Sequence, residues 1–166
     1  MPEALLTYHA HFHSLASYGV ILWGASTNAP KVFLKQKRAI RVLAGLHFTD
    51  SCRDYFKHYG ILTIPSCYIL SCLLHFYDIK AEQTRHSEVH NHFTRSRNSF
   101  VLPRNRLSRT QNSFHYHATK MYNKLPERFQ NLSRKRFKNT MASILKQHAF
   151  YDLKEFYACR FNHAGE

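Results

Sequence analysis

Pro65-Ser66-Cys67-Tyr68-Ile69-Leu70-Ser71-Cys72-Leu73-Leu74-His75-Phe76-Tyr77-Asp78-Ile79-Lys80 is the segment that decides the fold. Proline suits a first helical turn, where no N–H donor is needed. Wound at about 100° per residue, Tyr68, Ile69, Leu70, Leu73, Leu74, Phe76, Tyr77 and Ile79 cover nearly every side. A helix that is apolar all round is a central core helix, so the neighbouring segments are expected to wrap it.

Those segments read as helices too. Gly and Pro together make up ten of 166 residues, about half the usual share of roughly 12%. So few turn formers disfavour a sandwich or barrel with many hairpins. Upstream, Pro2 and Glu3 suit a first turn, and Leu5, Tyr8, Phe12 and Leu15 recur on one helical face. Tyr18-Gly19-Val20-Ile21-Leu22-Trp23-Gly24 is apolar on all sides and reads as buried, either helical or extended. In the stretch Lys31–Ala44, Val32, Phe33, Gln36, Ala39, Ile40 and Leu43 fall on one side of a helix that Gly45 ends. Ser51 and Asp54 have the spacing of a capping box for a short helix ending near Gly60.

Downstream of Glu82 the texture turns polar up to about Asn112, with a short extended piece at Phe100-Val101-Leu102. Two more helices follow, Gln111 to about Lys124 and one starting after Ser133 whose stripe is Phe137, Met141, Ile144, Leu145 and His148. Phe150, Tyr151, Leu153, Phe156 and Tyr157 form a terminal aromatic cluster expected to dock on the core. The expected fold class is therefore mainly α. It has a helical lobe at 1–81, a basic irregular connector at 82–110 and a C-terminal helical segment at 111–166.

The net charge of +14 speaks about partners. It favours a polyanion, nucleic acid or an anionic surface. On the helix at 31–44 the side opposite the apolar stripe carries Lys31, Lys35, Lys37, Arg38 and Arg41, and no Asp or Glu occurs from Ala4 to Thr49. A second acid-free run, Val89 to Pro126, holds Arg95, Arg97, Arg104, Arg106 and Arg109 with Lys120 and Lys124. Phe93, Phe100, Phe114, Tyr116 and Tyr122 are interleaved with these bases. Bases that track a phosphate backbone, beside rings that stack on bases, are how single strands are held. In both regions a purely solvated basic face is the competing reading. Arg134, Lys135, Arg136 and Lys138 crowd the first turn of the last long helix, against its dipole.

Several chemistries lack their residues. Mg²⁺-dependent polymerases and nucleases converge carboxylates on the metal, and this chain has no Asp-Asp pair or acidic cluster. Asp50 and Asp54 share a helical spacing but sit beside Arg53 and Lys57. Neither a P-loop nor a dinucleotide-binding glycine pattern occurs. His9 and His13 have ligand spacing but no evident third partner. Cys52, Cys67, Cys72 and Cys159 show no paired CxxC spacing and read as reduced, buried thiols of an intracellular protein, nuclear or cytoplasmic. No stretch has the roughly 18–20 apolar residues of a membrane span, and the start lacks the basic residues of a secretory signal. No cofactor, metal or membrane partner is expected.

The order of short words is familiar. His13-Ser14-Leu15-Ala16-Ser17-Tyr18-Gly19-Val20-Ile21-Leu22-Trp23-Gly24 resembles the segment after the palm in LINE-type (non-LTR) retrotransposon reverse transcriptases, jockey-like elements especially. Lys35-Gln36-Lys37-Arg38-Ala39-Ile40-Arg41 resembles the next helix of that family. Ser51-Cys52-Arg53 with Phe56, then Ile61-Leu62-Thr63-Ile64-Pro65, continue in family order. So do His92-Phe93-Thr94-Arg95, Tyr122-Asn123-Lys124-Leu125-Pro126 and Phe137-Lys138. The resemblance spans nearly the whole chain. It implies a thumb-like helical bundle and C-terminal region that hold an RNA or DNA template–primer. It also implies that the palm with the catalytic aspartates of this RNA-directed DNA polymerase lies outside the chain, as a further partner. The expectation is thus a non-catalytic, nucleic-acid-binding fragment. The alternatives are an inert or reused remnant acting as a protein-interaction module, with exposed apolar patches, and an enzyme with an unrecognised site.

Overall fold

The structure, a computed structural model, describes residues 2–89, 97–103, 107 and 113–161. The chain is mainly α, as the apolar periodicity predicts. Among the described residues the only extended pairing is an isolated antiparallel bridge between Arg85 and Phe100.

α1 (Pro2–Thr7) passes directly into a π-helical turn (Tyr8–His13) and then α2 (Ser14–Ser17). A π-turn inserts one extra residue into the helical repeat. The expected face therefore slips by one position. Tyr8 is buried and Leu5 and Phe12 lie against the core, but Ala16 replaces Leu15, which is 76% exposed. Gly19, at φ +59°, reverses the chain into α3 (Val20–Trp23). The burial expected for the whole run from Tyr18 to Gly24 does not occur. With only one helical turn formed, Val20 enters the core, Ile21 and Trp23 pack beside it, and Tyr18 and Leu22 face solvent. Gly24 is required by close approach, because a Cβ there would collide with the Tyr68 ring.

α4 (Ala29–Ala44) ends as expected at Gly45, whose N–H reaches the Arg41 and Val42 carbonyls from a left-handed conformation at φ +63°. α5 (Arg53–His58) follows Cys52 without a side-chain cap. The expected Ser51–Asp54 capping box is absent, because Asp54 turns to Lys57 at 3.2 Å. α6 (Ile64–Ile79) is the central helix. Thr63 caps it, accepting the Ser66 N–H at 3.2 Å, while the Thr63 hydroxyl donates to the Phe150 carbonyl at 2.5 Å.

A 3₁₀ turn (Lys80–Glu82) and α7 (His86–Val89) lead into the polar stretch. Beyond it come α8 (Phe114–Lys124), α9 (Glu127–Gln130), α10 (Arg134–His148) and α11 (Leu153–Ala158). The Ser113 hydroxyl caps α8 by accepting the Tyr116 N–H. On α10, Phe137, Met141 and Leu145 are buried and Ile144 is half-buried, as the stripe predicts. His148, expected on that stripe, is exposed, since the helix ends there and Ala149 takes a left-handed turn at φ +47°.

Among the described residues the buried apolar side chains form two clusters. The larger surrounds Tyr68, Ile69, Cys72, Leu73 and Phe76 of α6 with Met121 and Tyr122 of α8, Phe137 and Met141 of α10, and Phe156 of α11. Burying each such side chain contributes about 1.5–3 kcal/mol. The smaller joins Tyr8, Phe33, Ile40, Phe56, Ile61 and Ile64 with Ala149. The larger cluster, which also takes in Phe100, draws on all three parts into which the sequence divides the chain. The helix at its centre comes from the first part, and α8 and α10 from the last.

Candidate nucleic-acid interface

α4 owes its orientation to its inner face. Phe33, Gln36 and Ile40 are buried there. Gln36 is fully buried and fully bonded. Its Nε2 donates to the Tyr8 hydroxyl and the Leu62 carbonyl, both at 2.9 Å, and its Oε1 accepts the Ile64 N–H at 2.9 Å. Burial raises the Tyr8 hydroxyl to about 12, against the opposing effect of the Gln36 bond. One amide thus ties α4 to the π-turn and to the start of α6, and fixes which way the opposite face looks.

The five cations assigned to that face divide into two groups. Lys31, Lys35 and Arg38 are exposed, and none forms an ion pair among the described residues. They follow at i, i+4 and i+7, a stripe about 10 Å long. Lys37 and Arg41 are half-buried and already engaged. Lys37 Nζ lies 5.0 Å from the Phe33 ring centre and 5.6 Å from that of Tyr151. Arg41 Nε donates to the Asp50 carbonyl at 2.8 Å, closing the turn after α4. Tyr151 is the hub of this flank. Arg53 stacks on its ring at 4.1 Å and pairs with Glu155 at 2.7 Å. Burial pushes the Tyr151 hydroxyl up, with Cys52 acting in the same sense and the Arg53 and Arg41 charges opposing.

The second basic region is only partly placed. Arg95, Arg104, Arg106 and Arg109, with Phe93, lie outside the described residues. Arg97 is half-buried, and its carbonyl accepts the Ser87 N–H at 3.0 Å. The expected extended piece exists, with Val101 N–H on the Thr84 carbonyl and His86 N–H on the Ser99 carbonyl, both at 3.0 Å. Its aromatic residue, however, serves the core. Phe100 is 2% exposed and packs on Phe76 at 5.0 Å and Tyr122 at 5.8 Å. Asn123 stands in for a neighbouring strand, accepting the Phe100 N–H at 2.9 Å and donating to its carbonyl at 2.8 Å. Phe100 and the buried Tyr122 are therefore corrected from base-stacking rings to core residues. Phe114 and Tyr116 are half-buried.

At the first turn of α10, Arg134 grips Asp78 with two bonds of 2.5 and 2.7 Å. That pair, mainly through the hydrogen bond, holds the Asp78 carboxyl below its usual range. Lys135, Arg136 and Lys138 remain exposed. Arg128 and Arg160, which the sequence reading passed over, border a groove of about 680 Å³ beside α10. They are separated by 32 positions in the chain, and nothing local in the sequence brings them together.

Among the described residues no group of three or more His, Cys, Asp or Glu could hold a metal. The His9 and His13 rings meet edge to face at 5.3 Å. The four cysteines are free thiols, and burial raises Cys67 and Cys72 to about 12, the opposite of an activated nucleophile. No described helix is long and apolar enough to cross a membrane. Compared with known proteins, the chain matches no family model, no curated protein and no solved structure.

Proposed function

We propose that this chain is a non-catalytic nucleic-acid-binding module, the thumb and C-terminal part of a LINE-type reverse transcriptase. The observation that carries it is the stripe of Lys31, Lys35 and Arg38. These cations are exposed and without ion pairs among the described residues, on a helix whose other face is locked by Gln36. Each phosphate contact would release condensed counterions, so affinity comes from charge and sequence preference is weak. Lys37 and Arg41 support the face, one against aromatic rings and one against the turn at Asp50. Arg95, Arg97, Arg104, Arg106 and Arg109 extend the contact along the template–primer. No metal or cofactor enters, and such a module acts in the nucleus or cytoplasm.

The test is a titration of the whole chain with an RNA–DNA primer–template across a range of salt, run beside a nucleotide-incorporation assay. Binding that weakens steeply with salt and no incorporation is the expected pair of results. Incorporation by the chain alone, or binding indifferent to salt, overturns the proposal.

A second reading, a protein-interaction module, is favoured by one specific observation. Leu6, Leu15, Tyr18, Leu22, Val42 and Phe48 are each at least 71% exposed, all within the first 48 residues. Apolar surface left in solvent is the material of contact sites where such large side chains adjoin. In the leading proposal its partner is a polymerase palm. In the second it is the whole function, and the chain then self-associates or captures a partner in a manner that salt strengthens.

A further inference from the structure

The groove beside α10 belongs to neither basic region read from the sequence. It holds about 680 Å³, within the roughly 300–1,000 Å³ of ligand sites. Arg128 and Arg160 both line it. None of the described lining residues is Asp or Glu. Arg128 is held in place, its guanidinium 4.7 Å from the Phe129 ring centre and donating to the Phe161 carbonyl at 3.3 Å. Arg160 is exposed and forms no ion pair among the described residues. Asn139 and Gln147, two exposed amides eight positions apart on α10, also line the groove. Phe129 and Phe161 meet edge to face at 6.4 Å and supply the apolar surface.

We infer that this groove binds one or two nucleotides of a single strand, a second contact on the module proposed above and resting on that reading. The chemistry is divided as a nucleotide is divided. Arginines match phosphate oxygens with a planar fork of donors. Side-chain amides offer both a donor and an acceptor to a base edge. Aromatic faces accept any base by stacking. A duplex presents its bases stacked inward and cannot place one in a groove of this size. The site therefore separates single from double strands, whereas the α4 stripe, touching phosphates alone, does not.

The experiment uses the full chain and two probes, a labelled oligothymidylate and a blunt DNA duplex, with thymidine monophosphate as a third. Arg160→Glu reverses one wall charge, and Ser143→Trp fills the groove from an exposed lining position. Both are surface changes, and circular dichroism checks the fold. Each variant is expected to lose about tenfold in oligothymidylate affinity and less than about twofold in duplex affinity, Arg160→Glu because one charge-assisted contact is worth about that factor and Ser143→Trp because the ring occupies the space of the base. Photo-crosslinking of a 4-thiothymidine oligonucleotide to wild-type protein should mark the peptides of Phe129 or Phe161, a readout that needs no variant. If wild type binds both probes but neither variant nor crosslink reports the groove, this inference fails and the module reading stands. If wild type binds neither oligonucleotide, the module reading itself fails. Thymidine monophosphate binding as tightly as the oligonucleotide would make the groove a free-nucleotide site and overturn the strand assignment.

Discussion

Along α4, Phe33 points into the core while Lys31, Lys35 and Arg38 stand in solvent. At 97–103 the ingredients are the same and their use differs. Phe100 is more deeply buried than Phe33, Arg97 is half-buried, and Arg85 from across the bridge lies over the Phe100 ring at 4.6 Å. Both regions lay a cation over a buried aromatic residue, Lys37 over Phe33 and Arg85 over Phe100, but α4 also turns three cations outward. Cations beside aromatics in sequence therefore do not identify a nucleic-acid surface. What distinguishes α4 is that three of its exposed charged heads form no ion pair among the described residues.

The comparison breaks most visibly at Phe100. Phe100→Ala should cost about 3–5 kcal/mol, the usual range for deleting a buried aromatic side chain, read from urea denaturation. A loss below about 1 kcal/mol would return the ring to the surface and restore its stacking role. Gln36→Leu tests the inner face of α4. It leaves the buried Ile64 N–H without its acceptor and takes a donor from the Tyr8 hydroxyl and the Leu62 carbonyl, and an orphaned buried group costs about 1–3 kcal/mol. A variant as stable as wild type would show that α4 is oriented by apolar packing alone. Asn123→Ala removes both bonds to the Phe100 backbone and should cost about 1–2 kcal/mol, with proteolysis near residue 100 as the sensitive readout. Unchanged cleavage would mean that the ring alone holds the segment.

Acid is a gentler probe of the same core. Burial lowers the affinity of His13, His75 and His117 for protons, helped by His9 and Lys146, by His115, and by Lys120 respectively. Each also has a buried ring nitrogen without a hydrogen-bond partner among the described residues: Nδ1 of His13, Nε2 of His75 and Nδ1 of His117. With the folded value below the unfolded one, their contribution is complete above about pH 6.5. It is lost as pH falls through that value towards the lowered folded ones. Asp78 and Glu155, also lowered, add a second loss only in the carboxylate range, below about pH 4.5. A thermal midpoint that stays flat from about pH 8 to about pH 5 would contradict the histidine assignment.

What was readable from residues alone was periodicity. α6, the two faces of α4, the stop at Gly45 and the Phe137–Met141–Leu145 stripe follow from 3.6-residue spacing and one glycine. The slip from Leu15 to Ala16 was not readable, because a π-turn is decided by packing around Tyr8 and Phe12 and leaves no local signature. Phe100 was misread because its partners, Phe76 and Tyr122, lie more than 20 residues away on either side. Gln36 fell on the apolar side of its helix in the sequence, but its purpose depends on groups 26 and 28 residues distant. The five-residue basic stripe was legible as charge. Its division into three exposed and two engaged cations depends on Tyr151 and Asp50, which only the fold brings close.

The central claim is that the outward face of α4 meets phosphates. Lys31→Gln, Lys35→Gln and Arg38→Gln together remove the exposed cations and leave Lys37, Arg41 and Gln36 in place. Surface changes of this kind move stability by less than about 0.5 kcal/mol each. The slope of log affinity against log salt on duplex DNA should then shrink by roughly 0.9 per contact, about 2.7 for all three. A folded triple variant with the wild-type slope would contradict the account and leave that face as solvated charge.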